Sequence, residues 1–291
     1  MPELPEVETV RRGLETHICG ARIVGVRLMR PDLRFPFPRD FAARIRGRTI
    51  EQAGRRGKYL LFTLSGGLVW LSHLGMTGSY HFVRETIAGK QVHPPSAATR
   101  HDHVHMQLDT ADGERLELCY RDPRRFGYMD LSEKGEQSAF LTRMGPEPLG
   151  NRFDGRYLQS TLLGRRAPIK SLLLDQRIVA GLGNIYVLEA LWRSEISPRD
   201  AGTDVARSER VCADLVLHIR QVLEEAIDAG GSTLRDFRGA DGSSGYFQHK
   251  FYVYGRAGET CRRVGCSGVI ERLVQGGRSS FFCPVCQPDM S

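Results

Sequence analysis

Long apolar runs are missing from this sequence. The apolar stretches are about five residues long, and even Val211 to Leu217 is broken by Asp214, so nothing approaches the roughly 20 residues that a membrane-spanning helix needs. The opening Met-Pro-Glu-Leu-Pro-Glu is acidic and starts no apolar h-region, so no secretory signal is expected. There is no internal repeat and no low-complexity tract, which excludes a fibrous chain. A paired set of cysteines is also lacking. Seven is an odd number, with Cys19, Cys119 and Cys212 scattered and four clustered near the end. That argues against a disulfide framework and for a reducing, cytoplasmic setting. Lysine is scarce, at five against 36 arginines.

What is present suffices for one large domain or two ordinary ones: 291 residues, 41% hydrophobic and 26% charged. The net charge of +7 is unevenly placed. Residues 250–291 hold six basic and three acidic groups, and Arg44, Arg46, Arg48, Arg55, Arg56 and Lys58 face a single Glu51. Such stripes suit a polyanion such as nucleic acid, although a solvated basic surface accounts for the charge equally well. In an arginine-rich chain, a lysine beside Arg55 and Arg56 hints that a titratable amine is wanted there.

The periodicity gives the organisation. Pro5 to Ile18 reads as a helix, with Val7, Val10, Leu14 and Ile18 three and four apart. Period-two strands are expected at Ile23–Leu28, Tyr59–Leu64, Leu68–Leu74, Val104–Leu108, Leu116–Tyr120 and Tyr128–Leu131. Together they imply a β-sandwich. Arg84 to Thr99 reads as a mobile loop, and Gly145-Pro146-Glu147-Pro148 as part of a linker. Helices are expected at Arg156–Leu163, Ile169–Leu174, Asn184–Arg193 and, as one long helix, Asp204–Ala229, stopped by Gly230-Gly231. Short strands surround the last cysteines. The fold class is α+β multidomain, divided as 2–133 (sandwich), 134–150 (linker), 151–248 (helical) and 249–288 (cysteine module).

Four constellations carry chemistry. Cys261, Cys266, Cys283 and Cys286 give C-x4-C-x16-C-x2-C, two close pairs around a hairpin, which suits one structural zinc with no position left for catalysis. Arg278 sits in that hairpin between Gly276-Gly277 and Ser279-Ser280. It is placed to touch nucleic acid or is simply a surface arginine. At the start, removal of Met1 would leave Pro2 with a free secondary amine. An α-amine, with a pKa of about 7.7–8.0, is roughly a tenth unprotonated at neutral pH and can attack an electrophilic carbon. Glu3 beside it can donate a proton or balance charge. Most Met-Pro-Glu starts are only starts. Ala180-Gly181-Leu182-Gly183-Asn184 opening a helix offers a phosphate clamp. Asp122-Pro123-Arg124-Arg125-Phe126-Gly127 presents two cations and an aromatic that can wedge between bases, though most such turns are ordinary.

These segments, together with Arg55-Arg56-Gly57-Lys58-Tyr59-Leu60 and His73-Leu74-Gly75-Met76-Thr77-Gly78, occur in the order found in bacterial formamidopyrimidine-DNA glycosylases, and the chain resembles that family over essentially its whole length. The resemblance implies a β-sandwich with flanking helices, a helix-two-turn-helix domain and a β-hairpin zinc finger, with double-stranded DNA in the cleft between domains. It implies a monomeric base-excision enzyme that removes 8-oxoguanine and formamidopyrimidines and nicks the strand by β,δ-elimination through a Schiff base. It needs no redox or organic cofactor. By motif, Pro2 is the nucleophile, Glu3 its proton donor, Lys58 the proton donor for β-elimination and Arg278 that for δ-elimination. His101, Arg124, Arg165 and Asn184 fall on DNA-contacting positions. Met76, Arg124 and Phe126 match the trio that fills the gap left by the extruded base. Glu6, Lys170 and Glu189 align near the lesion pocket, and Asp241 to Phe247 resembles a lid over an extruded purine.

The sequence departs from the family pattern in three places: C-x4-C where C-x2-C is commoner, a longer Arg84–Thr99 loop, and Arg165 where lysine is frequent. Two alternatives stand beside this reading. One is an endonuclease VIII-like preference for oxidised pyrimidines. The other is a non-catalytic zinc-ribbon DNA-binding protein, which would not need Pro2, Glu3 and Lys58 together.

Overall fold

The computed structural model describes residues 2–84, 100–133, 138–232 and 245–290. The expected loop from residue 85 to 99, part of the linker (134–137) and most of the lid-like segment (241–244) lie outside them. The chain divides into two compact units, Met1–Thr142 with Gly230–Gly245, and Arg143–Ala229 with Tyr246–Ser291.

The first unit is a sandwich of two antiparallel four-stranded sheets. One has the order β1-β6-β7-β5, from β1 (Arg22–Leu28), β5 (Ser79–Arg84), β6 (Asp102–Asp109) and β7 (Arg115–Arg121). The other has the order β2-β3-β4-β8, from β2 (Ile50–Arg56), β3 (Tyr59–Leu64), β4 (Leu68–His73) and β8 (Tyr128–Glu133). Alternation decides which side chains go inward: on β3, Leu60, Phe62 and Leu64 are fully buried while their neighbours are half-exposed. Helix α1 (Leu4–Ile18) carries Pro5 in its first turn, where no amide partner is needed. It lays Val7, Val10, Leu14 and Ile18 into the same core as Phe62, Trp70 and Met106. A five-residue helix α2 (Phe41–Ile45) adds Phe41 and Ile45.

Two strands are absent from the sequence reading, β2 and β5. On β2 only Ile50 and Ala53 are buried, so its Ile-Glu-Gln-Ala-Gly-Arg-Arg reads as a charged stripe.

In the second unit, helices α3 (Gly155–Leu162), α4 (Ile169–Leu173) and α5 (Asn184–Arg193) fall within a residue of expectation. The single long helix does not form. It is two, α6 (Gly202–Val205) and α7 (Glu209–Asp228), because Ser208 is extended and its hydroxyl accepts from Val211 N at 3.4 Å, starting a new helix. Strands β9 (Glu271–Gln275) and β10 (Arg278–Phe282) form the terminal hairpin, and Val253, Ile270 and Cys283 pack with Leu188 and Trp192 of α5.

Candidate nucleic-acid-processing site

Pro2 and Glu3 are buried where the chain enters α1. The Glu3 amide donates to Glu6 Oε2 at 2.8 Å. The other oxygen, Oε1, accepts from both the amide and the hydroxyl of Ser232 at 2.8 and 2.9 Å. Glu6 is 2% exposed, and both its oxygens are committed. It ties the Pro2-Glu3 start of the chain to Ser232, before the segment likened to a lid. A buried carboxylate with this many donors is an anchor.

Lys58 is buried in the two-residue turn joining β2 to β3, where Arg56 pairs with Tyr59. Arg55 holds that turn. Its guanidinium donates to Gly57 O at 2.9 Å and to Glu8 Oε2 of α1 at 3.1 Å. The amine-bearing turn is thus clipped to the helix that begins with Pro2-Glu3. His73 lies beside it, stacked on Tyr128 with centroids 5.0 Å apart, its Nδ1 accepting from Gly75 N at 3.0 Å. Burial, reinforced by the Lys58 and Arg34 cations, lowers its pKa to about 4, so it is neutral at physiological pH.

Asp122 organises the segments that carry Met76, Arg124 and Phe126. It is fully buried; Oδ1 accepts from Thr77 Oγ1 at 2.6 Å and Oδ2 from Gly127 N at 2.8 Å, while its carbonyl contacts His103 Nε2 at 2.9 Å. Arg124 N donates to Thr77 Oγ1 at 3.2 Å. The loop carrying Met76 and the turn carrying Arg124 and Phe126 are therefore one assembly. The Arg124 guanidinium lies 4.8 Å from the Phe126 ring centre, and Phe126 is 42% exposed, an apolar ring held out by a buried carboxylate. His101, half-buried, precedes β6, and its carbonyl accepts from Asp122 N at 3.0 Å.

In the second unit Arg278 is exposed, the first residue after the β9–β10 turn. Gly276 and Gly277 have φ of 53° and 74°, the primed turn that two glycines allow without strain. Beneath the hairpin, Lys170 is wholly buried and donates to Ser280 Oγ at 2.6 Å and Ser279 O at 3.3 Å. Burial and then the Arg278 charge lower its pKa to about 8. Asn184, at the start of α5, donates from Nδ2 to Ser279 O at 2.9 Å, and its buried Oδ1 has no hydrogen-bond partner among the described residues. Three of the singled-out residues therefore meet at one hairpin.

Glu189 lies elsewhere. Its carboxylate accepts from the amides of Tyr252, Val253 and Tyr254 at 2.9, 3.1 and 2.9 Å, fixing the chain that leads into the cysteine module. Burial nonetheless raises its pKa. Arg165 is exposed after α3, with Nε on Thr161 O at 2.7 Å. The roles of Asp122, His73 and Ser232 were not foreseen. The first two lie inside motifs already noted, and Ser232 becomes visible only through its pairing with Glu6.

The four cysteine sulfurs lie within 4.8 Å of one another, with Sγ–Sγ distances of 3.8 Å (Cys261–Cys286) and 3.6 Å (Cys266–Cys283). A tetrahedron with Zn–S of about 2.3 Å has edges of about 3.8 Å, so the thiolates fit zinc. The Trp192 indole N–H and the Gly268 amide each donate to a cysteine sulfur at 3.4 Å, outer-shell bonds that orient such ligands.

Comparison with known proteins agrees with this geometry. Residues 1–129 match the formamidopyrimidine-DNA glycosylase N-terminal domain, 144–238 the formamidopyrimidine-DNA glycosylase H2TH domain, and 258–288 the zinc finger found in FPG and IleRS. A formamidopyrimidine-DNA glycosylase from a Chelativorans species is 51% identical over 99% of this chain and 100% of its own. A Lactococcus lactis FPG variant in complex with DNA containing Fapy-dG superposes with a TM-score of 0.84 at 34% identity, covering 99% of this chain and 100% of that one. The wild-type Lactococcus lactis protein in complex with DNA containing an oxidised pyrimidine gives 0.83 at 35%, with the same coverage.

Proposed function

Since the chain belongs to the formamidopyrimidine-DNA glycosylase family, we propose that its first two residues after Met1 perform the chemistry of base excision. The protein is a DNA glycosylase that removes oxidised purines from duplex DNA, with the abasic-site lyase activity of its family. It carries one structural zinc on Cys261, Cys266, Cys283 and Cys286. That ion crosslinks the module bearing Arg278 and has no open position for a reacting group.

The target carbon is stacked inside a duplex, so the nucleotide is first flipped out, at a cost of a few kcal/mol. Met76, Arg124 and Phe126 fill the vacated space; the Asp122 assembly keeps them ready for it without reorganisation. The Pro2 nitrogen attacks C1′ as the bond to the base breaks, with Glu3 supplying a proton. Ring opening leaves an iminium, which acidifies the C2′ proton. Loss of that proton expels the 3′ phosphate with Lys58 as proton donor, and a second elimination expels the 5′ phosphate with Arg278 as donor. A neutral His73 beside Lys58 adds no second cation there. His101, Arg124, Arg165 and Asn184 hold the DNA backbone. Lys170 acts from beneath the Arg278 hairpin, while Glu6 and Glu189 are positioning residues. The protein works as a monomer in the cytoplasm, where the nucleoid is. The domain division is 2–133, 134–150, 151–248 and 249–288.

The observation that supports this most is the double engagement of Glu6, which holds a buried Pro2-Glu3 start against Ser232. A merely DNA-holding module has no use for that arrangement. Borohydride trapping on an 8-oxoguanine duplex is the test. The parent forms a covalent adduct and Pro2→Gly does not. Equal trapping by Pro2→Gly removes Pro2 from the mechanism. The relative co-crystallised with oxidised-pyrimidine DNA favours a second, lesser activity on such bases, measurable as slower release of thymine glycol than of 8-oxoguanine.

A further inference from the structure

The outer face of the β1-β6-β7-β5 sheet holds a group of side chains that base excision does not use. On β7, Leu116, Leu118 and Tyr120 point into the core, so Glu117 and Cys119 lie on the opposite face. Strand register places Cys119 beside His105 of β6 and His81 of β5, a row of two imidazoles flanking a thiol. His105 Nδ1 is 2.7 Å from Glu117 Oε1 and 3.2 Å from Cys119 Sγ, and the three ligand atoms lie within 4.8 Å of one another. Cys119 is wholly buried and His105 is 9% exposed, unusual for polar groups on a sheet's outer face. Beside them the buried His81 Nε2 has no hydrogen-bond partner among the described residues. It stands 3.9 Å from Asp102 Oδ2, while the other oxygen of that carboxylate, Oδ1, pairs with Arg121 Nε at 2.8 Å.

We propose that His105, Glu117 and Cys119 form a second metal site, for a borderline-soft divalent cation of the zinc type, with His81 at its edge. One imidazole, one carboxylate and one thiolate is a donor set such ions accept, and two anionic ligands balance the dication. On binding, the thiol proton passes to solvent. The imidazole proton moves to Nε2, so that Nδ1 presents its lone pair, and Glu117 turns from Nδ1 to the metal. The hydrogen-bonded triad is the metal-free arrangement of the same ligands. Because they belong to adjacent strands β6 and β7, the ion would clasp the sheet that carries His101 and the Asp122 turn at its ends. This site is independent of the finger, which uses none of these residues.

The test uses full-length protein with its finger zinc in place. The protein is equilibrated with excess Zn2+, desalted and assayed for zinc by mass spectrometry. The parent holds two equivalents, while His105→Ala, Cys119→Ser and Glu117→Gln hold one. Zinc also raises the melting temperature of the parent and leaves the variants unmoved. Should Cys119→Ser fail to fold, the near-isosteric Glu117→Gln carries the test. One equivalent in the parent, or two in Glu117→Gln and His105→Ala, overturns the assignment.

Discussion

Gly75→Ala isolates the contact that joins the loop of Met76 to the turn of Arg124 and Phe126, the proposed wedge. Gly75 has φ +62°, and a Cβ there would stand 2.3 Å from the Phe126 carbonyl carbon, 2.4 Å from Gly127 N and 2.6 Å from Phe126 O. All three are backbone atoms, which cannot swing aside as a side chain can. Left-handed backbone costs a non-glycine residue about 1–2 kcal/mol, and overpacking a tight site costs about 1–3 kcal/mol more. The expected loss is therefore roughly 2–5 kcal/mol, a melting shift on the order of 10 °C for a unit of this size. Gly113→Ala is the control. Its φ is +80°, but nothing lies within 4 Å of the added methyl, so it incurs only the backbone cost. The difference between the two variants reads the steric part alone. Binding to a duplex with an abasic-site analogue should weaken for Gly75→Ala and stay unchanged for Gly113→Ala, because only the first displaces Phe126. Equal destabilisation by both, or unchanged abasic-duplex affinity for Gly75→Ala, would refute the idea that this packing sets the wedge.

Acid should weaken the fold through His73. With a native pKa of about 4 against 6.5 unfolded, the unfolded chain binds more protons between those values. Stability is then full above about pH 6.5 and falls as the pH drops to about 4, by up to about 3 kcal/mol; urea unfolding of His73→Gln across that window should show a flatter dependence. Glu189→Ala removes the acceptor of three amides, that of Val253 buried and those of Tyr252 and Tyr254 partly so, and should cost about 2–4 kcal/mol, read as a lower melting point with finger zinc retained. Chelating the finger zinc should change Trp192 emission, since its indole donates to Cys261 and stacks on Tyr252 at 4.3 Å. Trp70, buried in the sandwich, should report nothing, so Trp192→Phe should abolish the response.

What the sequence disclosed and what it withheld follow from range. Helix α1 and strand β3 were legible because their burial patterns are local: Val7, Val10, Leu14 and Ile18 repeat at helical spacing, and Leu60, Phe62 and Leu64 alternate. The cysteine quartet was legible because its pairs are close in sequence. Strand β2 was not, since two inward residues among seven leave no alternation to see. The interruption before α7 was hidden because Asp204 to Ser208 is compatible with helix, and only the Ser208 cap reveals the break. For the proposed site, the motifs alone point to Pro2, Lys58 and Arg278. The bonds from Glu6 to Ser232 and from Lys170 to Ser280 were invisible because each spans more than a hundred positions. The His105–Cys119 row depends on strand register, which no single strand encodes.

The glycine pair at the tip of the finger limits how that module can change in evolution or by design. A ribbon's faces alternate residue by residue. Arg278 follows the two-residue turn directly, opposite Gln275. Adding or deleting one residue between Arg278 and Cys283 would therefore send its guanidinium to the reverse side of the ribbon. Lengthening both strands by two keeps the face but carries the charge about 6–7 Å farther out. Length polymorphism has to be accommodated outside the ribbon.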